Sequence, residues 1–389
     1  MEVEFTSEQM VPAPVTMPYD VICIILEYAD VSTLFAMSLV NRDCFEAAYK
    51  HLWRRIPVHF CDPPHKPTVR LLNSLVSIPL RFRYIREFVI TATDFHPAST
   101  RGSDRNYISP AAHKVIHAFI SLLPHTASLR TIRFETNQQF NHYFREIIVA
   151  LDFFLVRKPT SLSFKLNSLH APVSHFHGLA RLVSQQPSIR CLSLVGPNDD
   201  DPMTPCPRSI LPHLESVVIS SPYLAYVMEE RPVHTLDTTG FALRPSTASY
   251  LVDAIERGSA PLRKLMVSIV HVNDYDTVKD DMSQLVVFPS VAPELRELVI
   301  TCPVYFPNWQ NIDGKTGMMP IRSPKRRALE RLTEILSTFK MLEVLEWIGP
   351  RASSAEEGNR GRQMFLDMCK LACPTLQRIV INGDTTWLH

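Results

Sequence analysis

Two pairs of residues have the spacing of metal ligands on one face of a helix. His113 and His117 stand four residues apart in HKVIH. A zinc protease of this pattern needs a glutamate base where this chain has Lys114, and no third ligand follows. Cys369 and Cys373 are also four residues apart, but zinc sites favour two short-spaced pairs and only one is present. We therefore predict no metal and no cofactor, with the histidines on a solvated helix edge and the thiols in a packed core.

Motifs for nucleophilic hydrolysis and phosphate binding are missing from the sequence. There is no GxSxG elbow, no GxxxxGK[ST] loop and no GxGxxG loop. The chain has 11 glycines against 31 prolines, a poor composition for loops that cradle phosphate. Cysteine, histidine and asparagine are all present, so counting alone leaves a cysteine protease open, although no spacing brings the three together. The sequence predicts no catalytic residues, and an enzyme of unrecognised type is the alternative.

Composition and charge narrow the class of protein further. The 389 residues are 46% apolar and 20% charged, enough apolar material for a substantial core. The formal net charge is +1, so no overall field favours nucleic acid or an anionic membrane. No apolar run approaches the ~18 residues of a membrane span, the start MEVEFTSEQM lacks the plan of a signal peptide, and eight cysteines are scattered. We expect a cytoplasmic or nuclear protein without nucleic-acid or membrane partners.

A six-residue pattern, apolar-x-x-apolar-x-apolar, recurs ten times after residue 84. An amphipathic helical stretch such as AAHKVIHAFISLLP separates most copies, which begin 19 to 47 residues apart. The copies are IREFVI (85–90), LRTIRF (129–134), IRCLSL (189–194), LESVVI (214–219), LRKLMV (262–267), LRELVI (295–300), LEVLEW (342–347) and LQRIVI (376–381), with PTSLSF (159–164) and VHTLDT (233–238) as weaker ones.

A strand-plus-helix unit at this period is typical of a solenoid, because each unit has one apolar side that only stacking can bury. The expected fold is α/β, an irregular leucine-rich-repeat-like solenoid with a curved parallel sheet and outer helices. The fourth and sixth motif positions would face the core, and the third and fifth would line the concave surface. Long helical domains and a Rossmann-like sheet are the competing architectures, and the lack of glycine at strand–helix turns disfavours the second.

The predicted concave surface is the candidate for binding a peptide or a folded protein. Its third and fifth motif positions are small and polar in the middle of the array and charged or apolar toward its end. A few side chains carry most of the energy of such an interface. The candidate substrate-binding residues are Arg133, Lys264, Met266 and Glu346.

Residues 17–56 have the pattern of three short helices with more apolar surface than they can bury among themselves. Asn41 is the expected N-cap of the third helix. The apolar positions are Val21, Ile22, Ile25, Leu26 and Ala29 in the first helix and Phe45, Ala48, Tyr49, Leu52, Trp53 and Ile56 in the third.

The order of residues in this segment matches a known pattern. It runs Pro18, Val21, Ile22, Ile25, Leu26, Tyr28, Leu34, Leu39, Val40, Arg42, Leu52, Trp53. With this order the segment resembles an F-box, the three-helix module that docks onto the Skp-type adaptor of cullin–RING (SCF) ubiquitin ligases. The later repeats resemble the irregular leucine-rich arrays of fungal-type F-box proteins. By this resemblance, all of these residues except Tyr28 and Arg42 would contact the adaptor.

The resemblance implies a non-catalytic substrate receptor. The F-box would bind the Skp-type adaptor and, through it, the cullin scaffold, while the solenoid would bind a protein for ubiquitination. Two readings compete with this one. The segment could be an ordinary three-helix part of a helical domain, or the protein could be a Skp-binding scaffold without a role in ubiquitination.

Four segments follow from these patterns. They are a flexible N-terminal segment (1–16), the F-box (17–57), a connector with a helix (58–80) and the solenoid (81–389). Residues 196–207 and 309–324 read as exposed loops by composition, and residues 385–389 would cap the array. A basic cluster near the second loop is interpreted as a nuclear-localisation patch, a contact for an acidic partner or simply a solvated helix start. Its members are Arg322, Lys325, Arg326, Arg327 and Arg331.

Overall fold

The computed structural model is an α/β protein in which three N-terminal helices precede a long sheet flanked by helices. The expected fold class, a helical segment followed by a parallel-sheet solenoid of the leucine-rich-repeat-like type, is confirmed. The residues that the structure describes are 17–93, 108–135, 141–157, 162–172, 176–195, 210–221, 227–269, 282–302, 324–349 and 355–388.

Three short helices open the described chain, as predicted. They are α1 (Tyr19–Glu27), α2 (Val31–Met37) and α3 (Arg42–Leu52). The Asp30 carboxylate accepts a hydrogen bond from the Thr33 backbone N–H at 2.7 Å, and the Asn41 side chain accepts one from the Cys44 backbone N–H at 2.8 Å. Each of these bonds satisfies a donor that the first turn of a helix leaves without a partner. The predicted N-cap at Asn41 is confirmed.

The third helix is shorter than the sequence predicted. It ends at Leu52, and Ile56, expected on its apolar stripe, lies in the first strand with 3% of its surface exposed. The segment WRRIPV (53–58) repeats the six-residue pattern of the later strands, and pairing with the next strand makes it extended. The sheet therefore begins at Arg55, within the expected F-box, and not after the expected connector at 58–80.

Twelve strands form one sheet in chain order within the described ranges. The first eleven run parallel and the last pairs antiparallel with its neighbour. The strands are β1 (Arg55–Phe60), β2 (Glu87–Ala92), β3 (Thr131–Glu135), β4 (Ser168–Pro172), β5 (Cys191–Val195), β6 (Ser216–Ile219), β7 (Thr235–Ala242), β8 (Lys264–Ser268), β9 (Glu297–Thr301), β10 (Val344–Ile348), β11 (Arg378–Ile381) and β12 (Asp384–Trp387).

One carbonyl per repeat sets the register of the parallel strands. The Arg54 carbonyl accepts hydrogen bonds from the backbone N–H groups of Arg86 at 2.8 Å and Glu87 at 3.0 Å, just before and at the start of β2. Because the accepting residue always precedes its strand, equivalent motif positions align from one strand to the next. The same two-donor arrangement recurs at the carbonyls of Arg86, Arg130, Asn167, Arg190, Glu215, His234, Arg263, Arg296 and Glu343.

Helices lie between the strands along the chain and cover the apolar face of the sheet. They are α4 (Lys66–Ser77), α5 (Pro110–Leu122), α6 (Asn141–Arg157), α7 (Phe176–Ser184), α8 (Pro245–Glu256), α9 (Phe288–Val291), α10 (Pro324–Leu336) and α11 (Ala355–Ala372). The fourth and sixth motif positions face this core, as Phe88 and Ile90 illustrate with 0% and 1% exposure. The predicted inward face of the strands is confirmed.

The weak copy at 159–164 was assigned to the wrong residues. Its described part, residues 162–164, is not a strand, and β4 corresponds to the segment LNSLHA (166–171), which begins seven residues later. That segment has the same pattern with alanine at the sixth position. Leu169 is fully buried and aligns with Ile132 of β3, whereas Leu162 only packs against the rim of the core. Sequence spacing could not choose between the two frames, and strand pairing does.

The last strand closes the C-terminal edge of the sheet, as the sequence predicted for residues 385–389. Between β11 and β12, Asn382 and Gly383 have φ angles of 51° and 91°. Two left-handed residues in this order form the tight hairpin turn whose twist suits antiparallel strands. Glycine adopts such an angle without a steric penalty.

The assignment of β4 predicts different costs for two Leu→Ala substitutions. Leu169→Ala should lower the free energy of unfolding by ~2–5 kcal/mol, because it leaves a cavity beneath the sheet. Leu162→Ala removes the same atoms at a partly exposed site and should cost clearly less. Urea unfolding monitored by circular dichroism measures both. A larger loss for Leu162→Ala would contradict the strand assignment.

Candidate functional site

The three-helix module, defined here as α1–α3, has a small core of its own. Ile22 and Leu26 of α1 and Leu34 of α2 pack together with three residues of α3. This cluster is separate from the large core beneath the sheet. The α3 members of the cluster are Cys44, Ala47 and Ala48.

The outer surface of the module is unusually apolar. Of the 23 large apolar side chains that are exposed in the described part of the chain, eleven lie at positions 17 to 45. Scattered exposed apolar residues are normal, whereas such a concentration on a small unit is typical of surfaces that bind a partner. The eleven are Met17, Tyr19, Val21, Ile24, Ile25, Tyr28, Val31, Phe35, Leu39, Val40 and Phe45.

Helix α1 carries two apolar stripes. Ile22 and Leu26 face the core of the module, with 6% and 1% exposure. The second stripe is Val21, Ile24, Ile25 and Tyr28. These four recur at i, i+3, i+4 and i+7, which places them on one side of the helix, and between 38% and 85% of each is exposed. No part of the chain that the structure describes covers this second stripe.

The predicted adaptor contacts divide into three groups in the structure. Pro18, Val21, Ile25, Leu39 and Val40 are exposed and available to a partner. Ile22, Leu26 and Leu34 are buried in the core of the module and hold its helices together. Leu52 and Trp53 are partly buried by the chain itself. Helical periodicity identifies apolar positions without separating an internal core from an external face, so the sequence grouped all ten together.

Seven of the eleven exposed apolar residues were not among the predicted contacts, namely Met17, Tyr19, Ile24, Tyr28, Val31, Phe35 and Phe45. Ile24 lies three residues after Val21 on the same side of α1, and its spacing was the available signal. Val31 and Phe35 of α2 are four residues apart and are 73% and 61% exposed. They extend the apolar surface of the module to its second helix.

Trp53 belongs to the junction between the module and the first repeat. The guanidinium of Arg81 lies 4.2 Å from the centroid of its ring, and Arg81 Nε donates to the Tyr49 hydroxyl at 2.8 Å. Tyr49 also meets Tyr84 edge to face, with ring centroids 6.0 Å apart. Stacked cation–aromatic contacts of this kind orient one element on another. This junction attaches α3 to the segment that precedes β2.

The opposite side of the sheet, called the open face, carries the third and fifth motif positions. Register places their side chains in two rows across the strands. Most of these positions are half-buried, but Val89, Ser193 and Val299 are buried. From β1 to β11 the first row is Arg55, Glu87, Thr131, Ser168, Cys191, Ser216, Thr235, Lys264, Glu297, Val344 and Arg378.

The predicted substrate-binding residues do not form one cluster on the open face. Arg133 lies on β3 and pairs with Glu87 at 3.2 Å. Lys264 lies on β8, five strands away, or roughly 24 Å at the usual strand spacing, and pairs with Glu297 at 2.8 Å. Met266 and Glu346 are half-buried near Lys264, on β8 and β10. Lys264, Met266 and Glu346 therefore share one region of the open face, and Arg133 is remote from them.

Charged groups and histidines converge at the β1–β4 end of the open face. Arg55 lies within 3.7 Å of Glu87 and 3.6 Å of Glu135, so two carboxylates and two arginines form a network that includes Arg133. Next to it, burial and then the neighbouring Arg133 lower the pKa of His170. His170 was absent from the predicted open face because the repeat of β4 had been placed seven residues too early.

His170 is also the nearest approach to a catalytic arrangement among the described residues. Its Nε2 lies 2.9 Å from the Ser168 hydroxyl, which is the distance of a nucleophile–base pair. A working pair needs a third group that orients the imidazole and donors for an oxyanion. No described side chain hydrogen-bonds to the other ring nitrogen. We therefore interpret the contact between Ser168 and His170 as a structural hydrogen bond between two side chains of one strand.

The residues considered for metal binding lie apart or are buried. On α5, His113 is half-buried and His117 is exposed. Cys369 and Cys373 are buried in the core, as predicted, and burial raises the pKa of the Cys369 thiol well above its usual range. In the ranges that the structure describes, no three His, Cys, Asp or Glu side chains stand close enough to hold a metal ion.

Other predicted features fall wholly or largely outside the described residues. Arg322 is one of these, and the side chains of Lys325, Arg326 and Arg327 at the start of α10 are too. Arg331, further along α10, pairs with Glu334 at 2.8 Å. The loop at 196–207 also lies outside the described part, as do residues 1–16 and all but the last position of 309–324.

Comparisons with known proteins identify no family for this chain. No protein-family profile and no curated protein match the chain. Among solved structures it is similar to the crystal structure of a Bacteroides fragilis protein studied by a structural genomics consortium. The two are 10% identical, and the match covers 82% of this chain and 71% of that one with a TM-score of 0.29. The sheet topology itself defines the class, a leucine-rich-repeat-like solenoid. No helix of the described part is long and apolar enough to cross a membrane.

The environment of His170 predicts a pH-dependent stability. Its pKa is lower in the folded chain than the value of about 6.5 expected after unfolding, so the unfolded chain takes up more protons as pH falls. The free energy of unfolding should therefore decrease between pH 8 and pH 5. His170→Gln should reduce this decrease, and His117→Gln on exposed α5 should leave it unchanged. Urea titrations at the two pH values test this, and equal decreases in all three proteins would contradict it.

Proposed function

We propose that the protein is a substrate-recognition subunit of an SCF-type ubiquitin ligase, in which the three-helix module binds a Skp-type adaptor. The observation that carries the proposal is the second apolar stripe of α1, Val21, Ile24, Ile25 and Tyr28, which no described part of the chain covers. The resemblance of residues 17–57 to an F-box selects the adaptor as the partner.

The energetic argument for a partner is direct. Burying one large apolar side chain contributes about 1.5–3 kcal/mol, so the four residues of the α1 stripe could supply much of the energy of a stable complex. The module needs none of them for its own core, because Ile22, Leu26 and Leu34 already fill it. An exposed apolar stripe that does not support the fold is best explained by a partner. The exposed predicted contacts, Pro18, Val21, Ile25, Leu39 and Val40, fit this role, and Ile24, Val31 and Phe35 join them.

The solenoid is the substrate-binding part in this proposal. Its open face presents two rows of mixed polar, charged and apolar side chains to a protein partner, with Lys264, Met266 and Glu346 in one region and Arg133 in another. The protein would do no chemistry of its own. Holding a substrate close to a ubiquitin-charged enzyme raises the effective concentration of the reacting groups.

Two rival functions share parts of this description. A scaffold that binds the adaptor without presenting a substrate would use the same apolar stripe. An enzyme of unrecognised type would need an enclosed polar site, and the Ser168–His170 pair on the open face lacks the third group that such a site requires. The open geometry supports the binding function over the enzyme.

The adaptor proposal predicts the effect of changes in the exposed stripe. Ile25→Asp combined with Tyr28→Asp should abolish co-purification with a co-expressed Skp-type adaptor, because two carboxylates would be buried at the contact. Both residues are exposed, so the module should keep its helices. Leu26→Asp is unsuitable, since Leu26 is 1% exposed and the change would unfold the module.

A matched control lies on α6, where Val149 and Val156 are 54% and 55% exposed. Val149→Asp with Val156→Asp adds the same charge far from the module and should leave adaptor binding intact. Wild-type binding by the Ile25/Tyr28 variant would overturn the adaptor proposal. If adaptor binding is confirmed, a second experiment separates a substrate receptor from a scaffold. A protein that the wild-type chain captures should accumulate when the proteasome is inhibited if it is a substrate, and should not if the chain is a scaffold.

A further inference from the structure

A cleft of about 1210 Å³ lies between the three-helix module and the edge of the first three strands. It is formed where α1–α3 meet the residues that precede and begin β1, β2 and β3. Its charged or ionisable residues are Glu27, Lys50, His51, Arg54, Arg55, Arg83, Arg86, Glu87 and Arg130, and its other residues are Leu26, Ala29, Leu34, Tyr84 and Thr131.

The cleft concentrates positive charge in a chain whose formal net charge is only +1. Six lysine and arginine side chains line it against two glutamates. Both glutamates already have partners, because Glu27 pairs with Arg54 and Glu87 pairs with Arg55 and Arg133. The four remaining cations form no ion pair with any carboxylate of the described residues. They are Lys50, Arg83, Arg86 and Arg130.

Two later repeats show how this edge of the sheet can be neutralised, although Arg263 and Arg296 are neighbouring like charges in the same row. The residue just before the third motif position is arginine in several repeats, and Arg190 and Arg296 are two of them. Arg190 pairs with Glu215 of the next repeat at 2.5 Å, and Arg296 pairs with Glu343 of the next repeat at 3.2 Å. In the repeats that line the cleft, the position aligned with Arg86 in the next repeat is occupied by Arg130, which is a second cation. Neighbouring like charges oppose folding, so stability does not account for this arrangement.

The two arginines are held in place while most of their donors remain available. Arg86 Nη1 donates to the Ser128 carbonyl at 3.4 Å, and Arg130 Nη1 donates to the Lys165 carbonyl at 3.0 Å. A guanidinium has five N–H donors and favours bidentate contact with carboxylates. With strands ~4.8 Å apart, Arg54, Arg86 and Arg130 follow one another within roughly 10 Å. These side chains form a preorganised basic wall.

The opposite wall indicates which kind of anion would fit. It is contributed by the module, where Leu26 and Leu34 are buried in the core and the half-buried Ala29 offers a small apolar contact. In an extended peptide, alternate side chains point to opposite sides. A chain with carboxylates on one side and small side chains on the other suits both walls.

We propose that this cleft is a binding site for an extended acidic segment of a partner protein, with Arg86 and Arg130 as the main contacts to its carboxylates. None of the exposed residues of the α1 stripe lines the cleft. The site is therefore separate from the proposed adaptor contact, and either can be wrong without the other.

The probe is a rhodamine-labelled peptide of alternating glutamate and alanine, titrated with the full-length protein at low salt and followed by fluorescence anisotropy. The peptide should bind, and its counterpart with glutamine in place of glutamate should not. Arg86→Gln with Arg130→Gln should weaken binding roughly tenfold, because two solvent-open ion pairs are lost. Added salt should weaken it as well.

The matched control is Arg190→Gln with Arg296→Gln, which removes the same charge from the same motif position where glutamates already neutralise it. This variant should bind the peptide within about twofold of wild type. Thermal unfolding confirms that both variants fold. Equal weakening by the two variants would overturn the proposal, as would undiminished binding by the Arg86/Arg130 variant. Binding of a labelled oligothymidylate in preference to the peptide would also overturn it, in favour of a nucleic-acid site.

Discussion

The structure depends on the stacking of parallel strands that cannot bury their apolar sides alone. A single carbonyl before each strand accepts two N–H groups of the next repeat, from Arg54 before β1 to Glu343 before β10. This bond pattern holds the fourth and sixth motif positions over the helices, where they are buried in every strand from β2 to β10. The variable helix and loop lengths between strands are tolerated because the contacts that stabilise each repeat are those with its neighbours.

Regular register has a consequence for charge as well as for packing. Because equivalent motif positions align across strands, a side chain at one position lies beside the side chain at the same position of the neighbouring strand. Opposite charges then neutralise each other, as Arg190 and Glu215 do, and like charges accumulate, as Arg86 and Arg130 do. The same rule places Lys264 against Glu297 on the open face. The surface chemistry of this protein is therefore organised in rows.

The three-helix module buries a smaller share of its apolar residues than the solenoid does. Its few internal contacts, centred on Ile22, Leu26 and Leu34, leave a second apolar stripe on α1 and further apolar residues on α2 exposed. It is attached to the sheet by the contacts that the Arg81 guanidinium makes with the Trp53 ring and the Tyr49 hydroxyl. The module thus exposes large apolar side chains at a higher density than the described part of the solenoid does.

The sequence by itself determined the fold class, three helices with their cap at Asn41, and nine of the ten repeat strands, because side-chain period reports which face of an element is apolar. Only the tertiary structure decided that the third helix ends at Leu52 and Ile56 lies in the sheet, and that β4 contains Leu169 and not Leu162. It also decided which apolar residues of α1 are covered and which arginines have no carboxylate nearby. Those outcomes depend on neighbours some thirty residues away in the chain, about which local periodicity carries no information.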